Sequence, residues 1–361
     1  MPDVNLSVQL TDLIAHLTQL LYQKKEGRSG KQGTEVVPLV LNQRDEHAQP
    51  CSTLTSDDAQ LRQVAAQGVH QHCPLPAWLH DGLHAEGLPA TCIETRQAKA
   101  AMKTMPNKTD RNDARALAQI MRTGWYRQVH VKSRQCRLWR SLLVARRTVL
   151  NEMRSIENVV RAIPREAGVK LGLPSRSAFA RRVRELTGAD AEVMAMVEPL
   201  LAILGVMFRE FARLTKQVLD IVRNEEVCRR LKSAPGVGPI TALAFRATID
   251  RPERFGSSQA VGAHLGLTPA RYQSGETDIQ GKVSRCGDEL ARTALYEAAH
   301  TLLVRSKKWS SLRAWGMNIA RRRGMARARV AVARKLAVIL HRMWANATEF
   351  RFGKEPAHLA A

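Results

Sequence analysis

Apolar residues recur at steps of three and four across residues 134–163, at Leu138, Leu142, Ala145, Val149, Met153, Ile156, Val160 and Ile163. That period predicts one long helix. Residues 198–223 repeat it more strictly, at Leu200, Leu204, Met207, Phe211, Leu214, Val218 and Ile221. Steps alternating between four and three are the spacing of a coiled-coil seam. With the insert 164–197 between them, the two helices read as a helical hairpin. It serves either as a coiled-coil or dimer element, or as two helices packed on the core of one domain.

The front of the chain is patterned weakly. Leu6 to Leu21 can form one amphipathic helix, and VVPLVL at 36–41 resembles a strand that Pro38 interrupts. From Trp78 the rhythm improves. A short helix is expected first, then a turn at Gly87–Pro89, a strand over Ala90–Ile93 and another helix. KTDRNDARALAQIMRTG predicts a further helix closed by Gly124, and VHV at 129–131 a short extended piece.

The last third reads as mostly helical. A basic helix is predicted from about Arg313 to Trp344. Its apolar face is Val330, Ala333, Leu336, Ala337 and Leu340. Its cationic residues are Arg321, Arg322, Arg323, Arg327, Arg329, Arg334 and Lys335.

Charge changes this picture. The 361 residues carry a formal net charge of +23, and the default partner for such an excess is nucleic acid. The excess is uneven. Residues 1–90 hold 6 Lys+Arg and 10 Asp+Glu, whereas residues 91–361 hold 50 and 23. Hydrophobic residues make up 44%, which excludes a wholly disordered chain. No uninterrupted apolar run approaches the ~20 residues of a membrane span, and the first residues lack the pattern of a secretory signal. The six scattered cysteines suit reduced thiols. The expectation is a soluble, strongly basic cytoplasmic protein with no membrane partner.

Three local signals carry chemistry. Asp110 and Asp113, three apart in KTDRNDA, share one helix face. They suit a hard divalent cation such as Mg²⁺, or simply a solvated helix start where Asp110 caps. Lys108 and Arg111 flank them. Ala234-Pro235-Gly236-Val237-Gly238-Pro239 reads as a turn between helices. It can offer backbone N–H groups to phosphate beside Arg229, Arg230 and Lys232, or it is an ordinary connection. Tyr272-Gln273-Ser274-Gly275 places a serine in a loop, with Arg271 and Lys282 nearby. Such a serine is either a nucleophile without an evident base or a turn residue.

Together, and in this order, the signals resemble the insertion-sequence-110 family of bacterial transposases. The matching stretches are RQAKAAMKTMPNKTDRNDARALAQIM, LKSAPGVGPITALAF and LGLTPARYQSGETDIQGKVSRCGDELARTALYEAA. The resemblance runs from about Trp78 to Gly353. It implies a fold that is mainly α with an α/β part. A truncated RNase-H-like (RuvC-like) domain would precede a long coiled-coil hairpin and a mostly helical C-terminal transposase domain. It implies that Asp110 and Asp113 are the third and fourth residues of an Asp-Glu-Asp-Asp set binding Mg²⁺, and that Ser274 is the nucleophile attacking DNA. It further implies a structured guide RNA as partner, and dimers or tetramers built through the coiled coil. Lys108, Arg111, Lys232, Gly236, Gly238, Arg271, Lys282, Arg321, Arg322 and Arg323 are then the candidate nucleic-acid contacts.

The front departs from the family. Its two strand motifs, carrying the first aspartate and the glutamate, are missing; Val69-His70-Gln71-His72-Cys73-Pro74 stands where the glutamate belongs. Residues 1–76 are expected to be a non-family, poorly ordered leader, from a frameshift or fusion. Residues 77–133 would be an RNase-H-like remnant, 134–225 the hairpin, 226–353 the serine domain and 354–361 a tail. The functional expectation is an insertion-sequence transposase impaired in catalysis, with Mg²⁺ held weakly. The rivals are a non-catalytic binder that pairs with and inhibits intact transposase, a junction-resolving nuclease, and a regulator using only the Gly236–Gly238 turn.

Overall fold

The computed structural model describes residues 64–68, 75–87, 90–103, 107 and 109–353. The predicted helix at Leu6–Leu21 and strand at 36–41 lie outside these residues. The chain divides into two compact units, 1–132 and 133–361.

In the first unit β1 (Val64–Gly68), α1 (Leu75–Ala85) and β2 (Ala90–Glu94) form a strand–helix–strand crossover. β1 runs parallel to β2, with Val64 opposite Ala90 and Gly68 opposite Glu94. β1 was not legible from its residues, because VAAQG lacks strand alternation and has no β-branched residue beyond Val64. On the other edge of β2, Val129 N donates to Cys92 O (2.8 Å) and Glu94 N to Arg127 O (2.9 Å). The extended piece expected at 129–131 thus pairs at 127–129. α2 (Thr95–Met102) and α3 (Asp110–Thr123) follow. Ile93, Ala98, Leu117 and Ile120 form their common core.

In the second unit α4 (Arg134–Glu166) and α6 (Ala191–Asn224) are the two long helices, with α5 (Phe179–Thr187) in the insert. At the far end Met153, Val160, Phe179, Val183, Val197, Leu201 and Leu204 close a small core. At the base the expected α4 seam is displaced. Leu138 is exposed at 55%, and Cys136, Trp139 and Leu143 are buried instead. The cause is that the base of α4 packs against α8 as well as α6, which turns the buried stripe. These residues, with Val218 and Val222 of α6, belong to the same core as the C-terminal helices. By length and composition α6 is also apolar enough to cross a membrane, a test that the core helix of a packed protein passes too.

That core is built from α7 (Glu226–Leu231), α8 (Pro239–Ile249), α9 (Ala260–His264), α10 (Glu289–Val304), α11 (Ser311–Arg323) and α12 (Met325–Ala345). One antiparallel ribbon leaves it: β3 (Pro269–Ser274) and β4 (Thr277–Val283). The single basic helix expected over 313–344 is two helices. Gly324, at φ 82°, ends α11 and starts α12. Gly316 lets α11 and α12 approach, since a Cβ there would sit 2.6 Å from Val332 Cγ2.

Candidate active site and nucleic-acid interface

α3 begins at Asp110, and Asp113 stands one turn further on. Capping falls to Thr109 rather than Asp110: Thr109 Oγ1 accepts from Asn112 N (3.2 Å). At the other end Gly124, at φ 66°, closes the helix as expected. Asp113 is half-buried. Arg111 is the second residue of α3, and Lys108 lies outside the described residues. Glu94 ends β2 on the first-unit sheet, and its carboxylate faces Arg127 Nη1 at 3.6 Å. Among the described residues no three His, Cys, Asp or Glu side chains gather as a metal site.

The Gly236 turn joins α7 to α8, as its sequence suggested. Gly236 sits at φ 84°, and a Cβ there would lie 2.4 Å from Ala298 O and 3.0 Å from Leu302 N. The close approach it permits is therefore to α10 inside the protein. Gly238 differs. It is the N-cap of α8 with Pro239 at the first helical position, and a Cβ there would meet nothing within 4 Å. Lys232 and Arg229 beside it are exposed, whereas Arg230 pairs with Glu226 on α7.

Ser274 is the last residue of β3, opposite Thr277. The stretch expected to be a loop is a hairpin tip, with Gly275 at φ 54° in the two-residue connection. Ser274 is exposed, and among the described residues no side chain is hydrogen-bonded to its Oγ. Arg271, a candidate phosphate contact, is engaged: its Nε and Nη2 donate to the two Asp278 oxygens at 2.8 and 2.6 Å. That hydrogen bonding raises the Arg271 pKa. Lys282 is exposed on β4.

The base of the ribbon is fixed firmly. Ser284 N donates to Thr268 O and Arg285 N to Gly266 O. Arg292 Nη1 donates to both Leu265 O (3.3 Å) and Arg285 O (3.1 Å). Gly266 and Gly287 interlock so closely that a Cβ on either would fall about 2 Å from a backbone oxygen. Behind them Arg140 Nε donates to Asp288 at 2.7 Å, and Asp288 caps α10.

Arg321, Arg322 and Arg323 are exposed in the last turn of α11. Two other cations of the predicted basic face lie against aromatic rings. Lys335 Nζ lies 4.3 Å from the Trp315 ring, and Arg329 packs over Tyr296. Two of the thiols behave as buried hydrophobes: burial pushes Cys228 up to about 12 and Cys92 to about 11.

The ribbon serine, the turn before α8 and the aspartates of α3 lie within two family matches. The model described as transposase of the IS116/IS110/IS902 family matches residues 228–314. The IS110 DEDD transposase model matches residues 39–166. The chain belongs to the IS110 family of transposases. Its relatives include the transposase for insertion sequence element IS1111A of Coxiella burnetii, 26% identical over 87% of this chain and 86% of the relative. A putative transposase of Sinorhizobium fredii is 28% identical over 68% of this chain and 64% of its own length. A probable family 20 transposase of Pseudomonas aeruginosa is 28% identical over 68% and 75%. The DEDD match of this IS110 member takes in residues 39–76, which the motifs had placed outside the family.

Proposed function

We propose that this chain is an insertion-sequence transposase built to cut and join DNA at the element's ends through Ser274, and impaired in that reaction because its acidic centre is incomplete. Support for the ribbon as the reacting element comes from its position. It is the one described strand pair of the second unit, it projects from a locked base, and it carries its serine at the tip. Ser274 Oγ would attack phosphorus, forming a P–O bond to serine and breaking the bond to the 3′ oxygen. The serine proton passes to solvent or a carboxylate, and the leaving oxygen takes one up.

Asp110 and Asp113 suit Mg²⁺, which binds through one or two carboxylates together with phosphate oxygens. Bound there, the ion would polarise a phosphoryl oxygen of bound DNA and offset its charge. Gly238 at the start of α8, with Lys232 and the arginines ending α11, would hold backbone phosphates. Structured guide RNA, as the family resemblance implies, adds a second polyanion for the same positive charge.

The observation that carries the reading of impairment is β1. It is the strand before α1 and reads Val-Ala-Ala-Gln-Gly, and neither it nor the following residues 69–74, where the resemblance puts the glutamate, hold an acid. Glu94, on the next strand, is already paired with Arg127. Calorimetric titration of the purified protein with Mn²⁺ tests this. Weak binding is expected; tight binding abolished by Asp110→Ala contradicts it.

A second reading is favoured by α6. Met196, Ile203 and Val206 recur on one side of that helix and are exposed at 53%, 48% and 49%. Such a stripe suits self-association, or pairing with an intact relative that the chain would inhibit. Mixing the chain with a full-length relative, and following mixed oligomers and lost transposition, separates this reading from the first.

A further inference from the structure

The ribbon face that carries Ser274 also carries residues the reaction scheme does not use. Alternate residues of a strand share a face, and the register sets Tyr272 opposite Ile279 and Ser274 opposite Thr277. These four residues therefore lie on one side. Arg271, Gln273, Asp278 and Gln280 lie on the other, where Arg271 and Asp278 neutralise each other.

Tyr272 is 68% exposed and Ile279 57%. A Cβ at Gly281 would be 3.4 Å from Tyr272 Cε2, so the glycine leaves the ring room to lie flat along the ribbon. An aromatic and an aliphatic side chain paired in solvent, on an element that buries almost nothing, mark a surface shaped for contact.

Charge names the occupant. The ribbon stands in the part of the chain that holds 50 Lys+Arg against 23 Asp+Glu, with Lys282 and Arg285 exposed on its flank. The complementary partner is a polyanion, and a two-stranded ribbon fits the groove of duplex DNA. Residues two apart on a strand are separated by about 6.6 Å. With Ser274 on the sugar–phosphate backbone, the Tyr272 ring reaches a neighbouring base.

We propose that Tyr272, backed by Ile279, stacks on the base beside the phosphate that Ser274 faces and fixes that nucleotide for attack. This rests on the reading that the Ser274 ribbon meets DNA. Aromatic faces stack on any base, and apolar side chains of this kind wedge base steps apart. The contact therefore sets position more than sequence.

The test uses the full chain and duplexes spanning the boundary of the DNA element that encodes it, with 2-aminopurine placed at successive positions. Wild type, Ser274→Ala and Tyr272→Phe are each expected to change the fluorescence at the same one position. Tyr272→Ala is expected to abolish that change and to weaken binding about 10-fold, or ~1.4 kcal/mol. Tyr272→Ala behaving as wild type overturns the proposal. So does Tyr272→Phe failing as Tyr272→Ala does, or a wild-type complex with no responding position. Strand cleavage appearing equally in wild type and Ser274→Ala, read from the same complexes, would instead remove the nucleophile and leave the stacking contact standing.

Discussion

Asp250 holds Ser133 by two hydrogen bonds: Oδ1 accepts from Ser133 Oγ at 2.6 Å and Oδ2 from Ser133 N at 2.9 Å. Ser133 caps α4 and Asp250 follows the last residue of α8. Asp250 has φ 63° and ψ −58°, and Arg251 N donates to Ile249 O at 2.7 Å across it. That is a γ-turn of the rare positive-φ kind, a conformation costing roughly 1–3 kcal/mol in a residue with a Cβ. The pair ties the foot of the hairpin to the C-terminal core. Asp250→Ala keeps the strain and loses both bonds, so a loss of about 2–3 kcal/mol is expected. Asp250→Gly relieves the strain and should lose less. Urea denaturation of the two variants checks the order.

Arg246 stands beside this turn. It donates to Glu225 Oε1 (3.0 Å) and Asp250 O (2.8 Å), and its guanidinium lies between the Trp139 and Trp344 rings at 5.3 and 4.7 Å. Removing it strands Glu225 and opens the space between the rings. Arg246→Ala should cost about 3 kcal/mol, and Arg246→Lys should recover only part, because an ammonium cannot serve both rings and both acceptors. Thermal unfolding followed by tryptophan fluorescence reads both.

Gly236 is required by packing. Gly236→Ala must push α8 away from α10 and strain a positive φ, so it should destabilise the second unit and weaken DNA binding together. Gly238→Ala meets open space and should leave stability within about 0.5 kcal/mol while reducing DNA affinity. Denaturation and binding curves measured on both variants separate the two roles.

Of the four described cysteines, Cys92, Cys136 and Cys228 are buried and Cys286 is exposed. Burial raises the pKa of each of the three, which keeps their thiolates scarce at neutral pH. Iodoacetamide on the native protein should therefore label Cys286 alone among them. Peptide mass mapping gives the answer directly.

The long helices, α3 with its Gly124 stop, and the strand at 90–94 were legible because each shows one plain periodicity or cap. The ribbon was not. Both its faces are solvent-exposed, so Tyr272 to Lys282 lack the alternation that marks a half-buried strand. The break at Gly324 was hidden by continuous helical spacing on either side, as a lone glycine is tolerated within such a pattern. The displaced seam at Leu138 and Ala145 followed from a partner, α8, that no local pattern names. For the candidate site, the residue types at 110, 113 and 274 were readable. That Arg271 is held by Asp278, and that Gly236 serves α10, depended on contacts distant in sequence or across the ribbon.

The proposed function is that of an IS110-family transposase whose serine ribbon is intact and whose acidic centre is not. The most direct measurement is strand cleavage of element-end DNA by the purified full chain with the proposed guide RNA and Mg²⁺, resolved on a denaturing gel beside Ser274→Ala. The chain is expected to bind the DNA, and wild type to give no more serine-linked product than the variant. A Ser274-dependent covalent DNA adduct formed in Mg²⁺ would contradict it.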